Sequence, residues 1–234
     1  MGVVHHLVVV FLVLVFPIWD RYETARLKQS ADPSVRIRSY QTTIAWQWLV
    51  AVLLFATLPA SALLTPPSAA VLVARRYGIA VVPVILGLMA GIALPVLLGR
   101  LRKGSTPLMR QLQEIAFVLP RTAVERWWFA ALAVSVGVCE EVIFRGFLVR
   151  YVQQLPLHPG LAGSVVIAAL IFGLDHGYQG VKGMIGTTVL ALVMTAVFFG
   201  TGHLWPAMVM HTLIDLRILL LRPDRGPDGE ASGA

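Results

Sequence analysis

Three short segments of this chain carry side chains able to activate water, and each lies in an otherwise apolar run. The first is Glu140-Glu141-Val142-Ile143-Phe144-Arg145. A charge at the centre of a membrane-spanning helix costs about 2.5–3.5 kcal/mol on insertion scales, so two carboxylates and a guanidinium this close must face other protein groups rather than lipid. Glu141 and Arg145 stand at i, i+4 and can pair along one helix face. Glu140 lies about 100° around the helix from Glu141 and is free to point elsewhere. A structural ion pair beside one protonated glutamate is the competing reading.

The second segment is Phe172-Gly173-Leu174-Asp175-His176, closing an apolar run. Taken alone, a histidine at a helix end such as His176 is more often a structural or interfacial residue than a catalyst. The third is His211-Thr212-Leu213-Ile214-Asp215, whose His and Asp share a helix face at i, i+4. Together the segments place Glu140, His176, His211 and Asp215 on three separate helices. A carboxylate with two imidazoles is what water activation requires: a base for the proton and groups that stabilise an oxyanion.

The elements that must position these residues are apolar helices. Hydrophobic residues make up 57% of the 234 and charged residues 13%, with a mean hydropathy of +0.78. A soluble domain carries about 25% charged residues, so lipid is the expected solvent for most of this surface. A spanning helix needs about 20 largely apolar residues. Seven candidates follow: 3–19, 42–64, 79–99, 127–150, 161–176, 183–202 and 204–221. The first reads as a retained anchor, since no Lys or Arg precedes it and it ends in Phe16-Pro17-Ile18-Trp19-Asp20. The expectation is an all-α polytopic membrane bundle of about seven transmembrane helices with its active site inside the bundle.

The net charge of +7 does not point to nucleic acid, because Lys and Arg sit in the gaps between apolar runs and form no single patch. Their distribution sets the topology instead: fourteen fall on one side and three (Arg75, Arg76, Arg150) on the other. This places the N-terminus outside and the C-terminus in the cytoplasm. All six tryptophans fall near span ends, as interfacial anchors do. Residues 1–100 read as scaffold helices that add only generic hydrophobic surface. Residues 101–126 read as a basic amphipathic connection, with Leu108, Leu112, Ile115 and Leu119 at helical spacing, lying either on the lipid surface or as a plain cytoplasmic helix. Residues 127–221 form the polar, catalytic core, and 222–234 a disordered tail. The single Cys139 excludes an internal disulfide and reads as a buried bystander.

Glu-Glu-x-x-x-Arg, Phe-x-x-x-His and His-x-x-x-Asn/Asp, in this order on successive hydrophobic segments, resemble the CPBP family. That family joins the CAAX prenyl endopeptidases with bacteriocin-processing and Abi-type membrane proteins. The resemblance covers residues 125–221. It implies an intramembrane endopeptidase in which Glu140 is the general base, helped by His176. Arg145 would orient the carboxylates through Glu141, and His211 with Asp215 would hold the oxyanion. Asp stands at 215 where Asn is the more familiar donor, and an ionised Asp cannot donate a hydrogen bond. Asp215 is therefore protonated, or orients His211, or ligates a metal. No cofactor is expected and a metal-free glutamate mechanism is preferred; the alternative is zinc on Glu140, His176, His211 and Asp215. The implied partners are a membrane-anchored protein or peptide substrate and the lipid bilayer, with no nucleic acid. The short, Val-, Ala- and Arg-rich sequence points to a bacterial source, so the expected location is the bacterial inner membrane. The competing functions are a non-catalytic immunity or adaptor protein and a proton-coupled transporter.

Overall fold

The computed structural model describes residues 1–76, 84, 86, 87, 89–91 and 113–220. Among these the regular structure is helical throughout, with no strand. Helix α1 runs Val3–Gln29, with a π turn at Phe11–Val15. It is followed by α2 (Pro33–Thr57), α3 (Ala60–Leu64) and α4 (Ser68–Arg76). Helix α5 covers 123–153, passing from α-helix (Ala123–Glu140) through a π segment (Glu141–Leu148) back to α-helix (Val149–Gln153). Helix α6 is Gly160–Asp175, and a 3-10 turn at Gly177–Gln179 leads into α7 (Gly180–Thr201). Helix α8, Trp205–Leu216, runs into a 3-10 turn at Arg217–Leu220.

The helix boundaries follow from local chemistry. Asp32 caps α2, accepting from the Ser34 backbone N–H at 2.9 Å, and Pro33 fills the first helical position, where its missing N–H costs nothing. Pro59 forces Leu58 into extended backbone (φ −130°, ψ 145°) and ends α2. Gly202 stops α7 in the left-handed conformation (φ 75°). At the start of α5, Thr122 and Glu125 form a reciprocal capping box.

Glu125 also ties α5 to α2. Its Oε2 accepts from the Arg121 and Thr122 backbone at 2.8 and 2.7 Å, and its Oε1 accepts from Arg36 Nε at 2.6 Å. Burial pushes the Glu125 carboxyl up, but the two backbone donors and the Arg36 guanidinium outweigh it and hold the group below the ordinary glutamate value. From this anchor α2 and α5 run side by side in the same direction, joined further along by Trp48 Nε1 donating to Ser135 Oγ at 3.1 Å. Helices α6 and α7 pack as an antiparallel pair, and α8 lies antiparallel against α5.

Glycines allow these close approaches. A Cβ at Gly137 would lie 2.7 Å from the Thr212 backbone N, and one at Gly173 would lie 2.8 Å from the Met184 carbonyl oxygen. Small residues at helix crossings are how membrane helices gain van der Waals contact without a hydrophobic driving force. The core is apolar, with Leu12, Leu54, Leu63, Ile143, Phe147 and Phe198 fully buried. Apolar side chains also cover the outside: Leu7, Leu14 and Ile18 on α1, and Val181, Ile185 and Val189 on α7, are each more than half exposed. Such a belt fits lipid and would be an aggregation hazard in water.

The all-helical expectation is met, while the seven separate spans are not reproduced as such. Two helices among the described residues, Val3–Gln29 and Gly177–Thr201, are long and apolar enough to cross a membrane. The run 42–64 is broken at Leu58-Pro59, because a pre-proline residue leaves the helical region. The run 3–19 extends to Gln29, so Arg21, Arg26 and Lys28 ride on the last turns of α1 rather than in a loop. The run 204–221 contributes the 12 residues of α8, which cover about 18 Å, well short of a bilayer core. Most of the run 79–99 lies outside the described residues, as do Leu108, Leu112 and the tail 222–234. Within 101–126, residues 115–118 form turns rather than the expected helix, and 123–126 are already the first turn of α5. Trp46 packs against α1, its ring 4.8 Å from Phe16 and 5.5 Å from Phe11, centroid to centroid.

Candidate functional site

The two glutamates sit where α5 changes from α to π geometry, Glu140 closing the α stretch and Glu141 opening the π stretch. Single π turns inside α-helices concentrate at functional sites, because the extra residue redirects side chains that a regular helix would fix. All eight residues Glu141–Leu148 are buried. Arg145 Nη1 lies 3.0 Å from Glu141 Oε1, the pairing expected from the i, i+4 spacing. The guanidinium also rests 4.5 Å from the centroid of the Phe172 ring, a cation–π contact with α6.

Glu141 serves a second partner on a third helix. His211 Nδ1 lies 2.8 Å from Glu141 Oε1, in hydrogen-bond contact. An ionised Glu141 accepts there, so His211 Nδ1 carries the proton and Nε2 turns the other way. Nε2 then stands 3.9 Å from Glu140 Oε2 and 3.7 Å from Asp215 Oδ2, both beyond hydrogen-bond length. Arg145, Glu141 and His211 thus form a buried relay that aims His211 at the pair Glu140 and Asp215. Glu141 occupies Nδ1 of His211, so Asp215 faces the ring from the Nε2 side.

His176 ends α6 with its Nδ1 2.7 Å from the Phe172 carbonyl oxygen. A carbonyl only accepts, so Nδ1–H donates and Nε2 is the nitrogen left for other partners. Phe172 is the common wall: its ring lies 4.5 Å from that of His176, 6.1 Å from that of His211 and 4.9 Å from that of Phe144.

Four of the six predicted site residues, Glu140, His176, His211 and Asp215, line one cavity of about 530 Å³. Glu141 and Arg145 stand behind its wall and reach it through His211. Reading the sequence missed Gln47, assigned there to a generic scaffold. Its Nε2 donates to Glu140 Oε1 at 2.9 Å, and the side chain is 1% exposed. Asp20 and Asp175 also line the cavity and were given no role. For Gln47 and Asp175 the signal was present, since a polar or ionisable group inside an apolar run is a functional candidate by default, whereas Asp20 follows the end of the first run. Glu140 Oε2 has no hydrogen-bond partner among the described residues. No three His, Cys, Asp or Glu side chains among the described residues stand in an arrangement that would hold a metal ion. The zinc set Glu140, His176, His211 and Asp215 therefore shares a cavity without forming a ligand shell.

Residues 122–217 match a family model described as type II CAAX prenyl endopeptidase Rce1-like. The matched region begins at the α5 cap and ends just after α8, so it contains all three motifs. No curated relative and no solved structure matches the chain.

Proposed function

We propose, from the match of residues 122–217 to the Rce1-like type II CAAX prenyl endopeptidases of the CPBP group, that the chain is a membrane-embedded endopeptidase whose water nucleophile is activated by Glu140. The observation that carries the proposal is the meeting of Glu140, His176, His211 and Asp215, from three helices, on one buried cavity. In this reading Glu140 takes a proton from water, with Oε2 as the accepting atom and Gln47 holding Oε1. His176 Nε2 accepts a second hydrogen bond from the same water. The hydroxide attacks the scissile carbonyl carbon and its C=O becomes an oxyanion. His211, protonated on both nitrogens, offers Nε2–H to that oxyanion, and a protonated Asp215 adds a second donor. Collapse of the intermediate breaks the C–N bond, and Glu140 returns its proton to the leaving amine. The relay of Arg145 and Glu141 fixes the His211 ring throughout. No step needs a metal.

The bilayer placement in this reading is seven crossings, N-terminus outside and C-terminus cytoplasmic, in a bacterial cytoplasmic membrane. Contacts at the two ends of the bundle support it. At one end Arg36 meets Glu125, and Arg126 Nη2 donates to the Leu219 carbonyl at 2.6 Å. At the other, Arg150 Nη2 donates to the Thr65 carbonyl at 2.7 Å and the Leu204 N–H to Leu64 O at 3.0 Å. The two ends gather the segments that the Lys and Arg distribution assigns to opposite sides. The substrate class is a membrane-anchored protein or peptide.

The test compares purified wild type with Glu140→Gln and His211→Ala on a library of membrane-anchored peptides, with and without chelator. Both variants are expected to fold and to lose cleavage, and chelator is expected to leave the wild type active. Full activity of Glu140→Gln removes the proposed base. Loss with chelator, restored by zinc, replaces the metal-free mechanism.

A further inference from the structure

The cavity is acidic inside a basic protein. Its lining carries Asp20, Glu23, Glu140, Asp175 and Asp215 against one guanidinium among the described residues, Arg217, although the chain has a net charge of +7. The proposed chemistry uses only Glu140 and Asp215, and Glu23 is paired with Arg26 at 3.1 Å. That leaves two carboxyl groups without a task. Asp175 is the more telling. It is 6% exposed, lines the cavity, and neither Oδ1 nor Oδ2 has a hydrogen-bond partner among the described residues. A buried carboxyl with both oxygens unsatisfied costs several kcal/mol unless something else meets it. Asp20 lines the same cavity from α1, which packs against α6 and the turn Gly177–Gln179. Tyr178 and Gln179 of that turn line the same space, with Gln179 Nε2 donating to Tyr178 Oη at 3.1 Å. Asp175 precedes His176 in sequence, so this acidic wall adjoins the catalytic one.

We propose that Asp175 and Asp20 form a specificity subsite that receives a cationic side chain of the substrate, the ammonium of Lys or the guanidinium of Arg, next to the scissile bond. This rests on the endopeptidase reading above and adds a substrate feature to it. A Lys or Arg side chain supplies the donors that Asp175 lacks, and its aliphatic stem matches the apolar remainder of the cavity. The bound cation contributes to selectivity chiefly by discrimination, because a neutral isostere leaves the carboxyl groups buried and unpaired.

The experiment uses the full chain in proteoliposomes with membrane-anchored peptides that differ at one position, carrying Lys, norleucine or Glu at each of the three residues on either side of the cleaved bond. At one of these positions Lys is expected to exceed norleucine in kcat/KM by about tenfold or more, with Glu below both. In Asp175→Asn that ratio is expected to fall to about one, with Asp20→Asn lowering it partway. Equal cleavage of Lys and norleucine peptides by the wild type at every position overturns the proposal, as does a ratio that survives Asp175→Asn combined with Asp20→Asn. Binding of the same peptides to Glu140→Gln is measured in parallel. If the wild type cleaves none of them, the endopeptidase reading fails, and tighter binding of the Lys peptide that is lost with Asp175→Asn still supports the subsite. Equal binding of Lys and norleucine peptides counts against it.

Discussion

Replacing Gln47 by Leu removes one hydrogen bond from Glu140 while keeping most of the side-chain volume. The bond is 2.9 Å long, buried at both ends, and has a carboxylate as acceptor. Bonds to charged groups contribute about 1.5–3 kcal/mol, which converts to a loss of about 10- to 150-fold if the orientation of Glu140 matters at the transition state. Bonds between membrane helices average lower, so a kcat loss near the tenfold end is expected, with KM changed less than about threefold. Ser135→Ala is the matched comparison. It removes the Trp48–Ser135 bond between the same two helices without touching the cavity. Both variants are expected to lose a similar amount of stability, about 1 kcal/mol, read from thermal unfolding in detergent or by steric trapping in bicelles. Only Gln47→Leu should lose kcat on a fluorogenic membrane-anchored peptide. A folded Gln47→Leu enzyme with kcat within twofold of wild type would refute the reasoning. So would an equal kcat loss in Ser135→Ala, which would trace the effect to helix packing.

Arg36→Met leaves Glu125 buried without its guanidinium and should cost about 3–5 kcal/mol of stability, measured by unfolding in detergent. Glu125 is held below the ordinary glutamate value of 4.5, so its contribution is complete above that pH and is lost as pH falls through the lower folded value. Glu125→Gln should therefore be less stable than wild type at neutral pH and show a shallower loss on acidification. Gly173→Ala brings a methyl 2.8 Å from the Met184 carbonyl and should cost about 1–3 kcal/mol as α6 and α7 are pushed apart. Because His176 follows three residues later, kcat should fall as well, and unchanged kinetics would show that the crossing tolerates the shift. In a Cys139→Ala background, single cysteines at Ser30 and Arg110 should react with impermeant reagent only from the cytoplasmic side, and one at Leu155 only from outside.

Much of the site could be read along the chain. Glu141 and Arg145 meet because i, i+4 spacing puts them on one face, and His211 and Asp215 share a face for the same reason. The exclusion of charge from lipid was enough to turn all of these inward. Span lengths were less legible. Hydropathy counts apolar residues and does not register that Pro59 breaks a run or that a helix such as α8 ends after 12 residues.

What the residues alone determined is which side chains cannot face lipid, and therefore which ones are candidates for chemistry. What only the packed helices decided is who meets whom across the bundle: Gln47 on Glu140, Glu141 on His211 rather than on Arg145 alone, and Asp20 in one cavity lining with Asp175. Local spacing fixes neighbours one turn apart through the helix repeat. Partners 70 or 93 positions away, as in His211 with Glu141 and Gln47 with Glu140, are set by how glycine-lined faces let helices approach and by where a π segment turns its side chains.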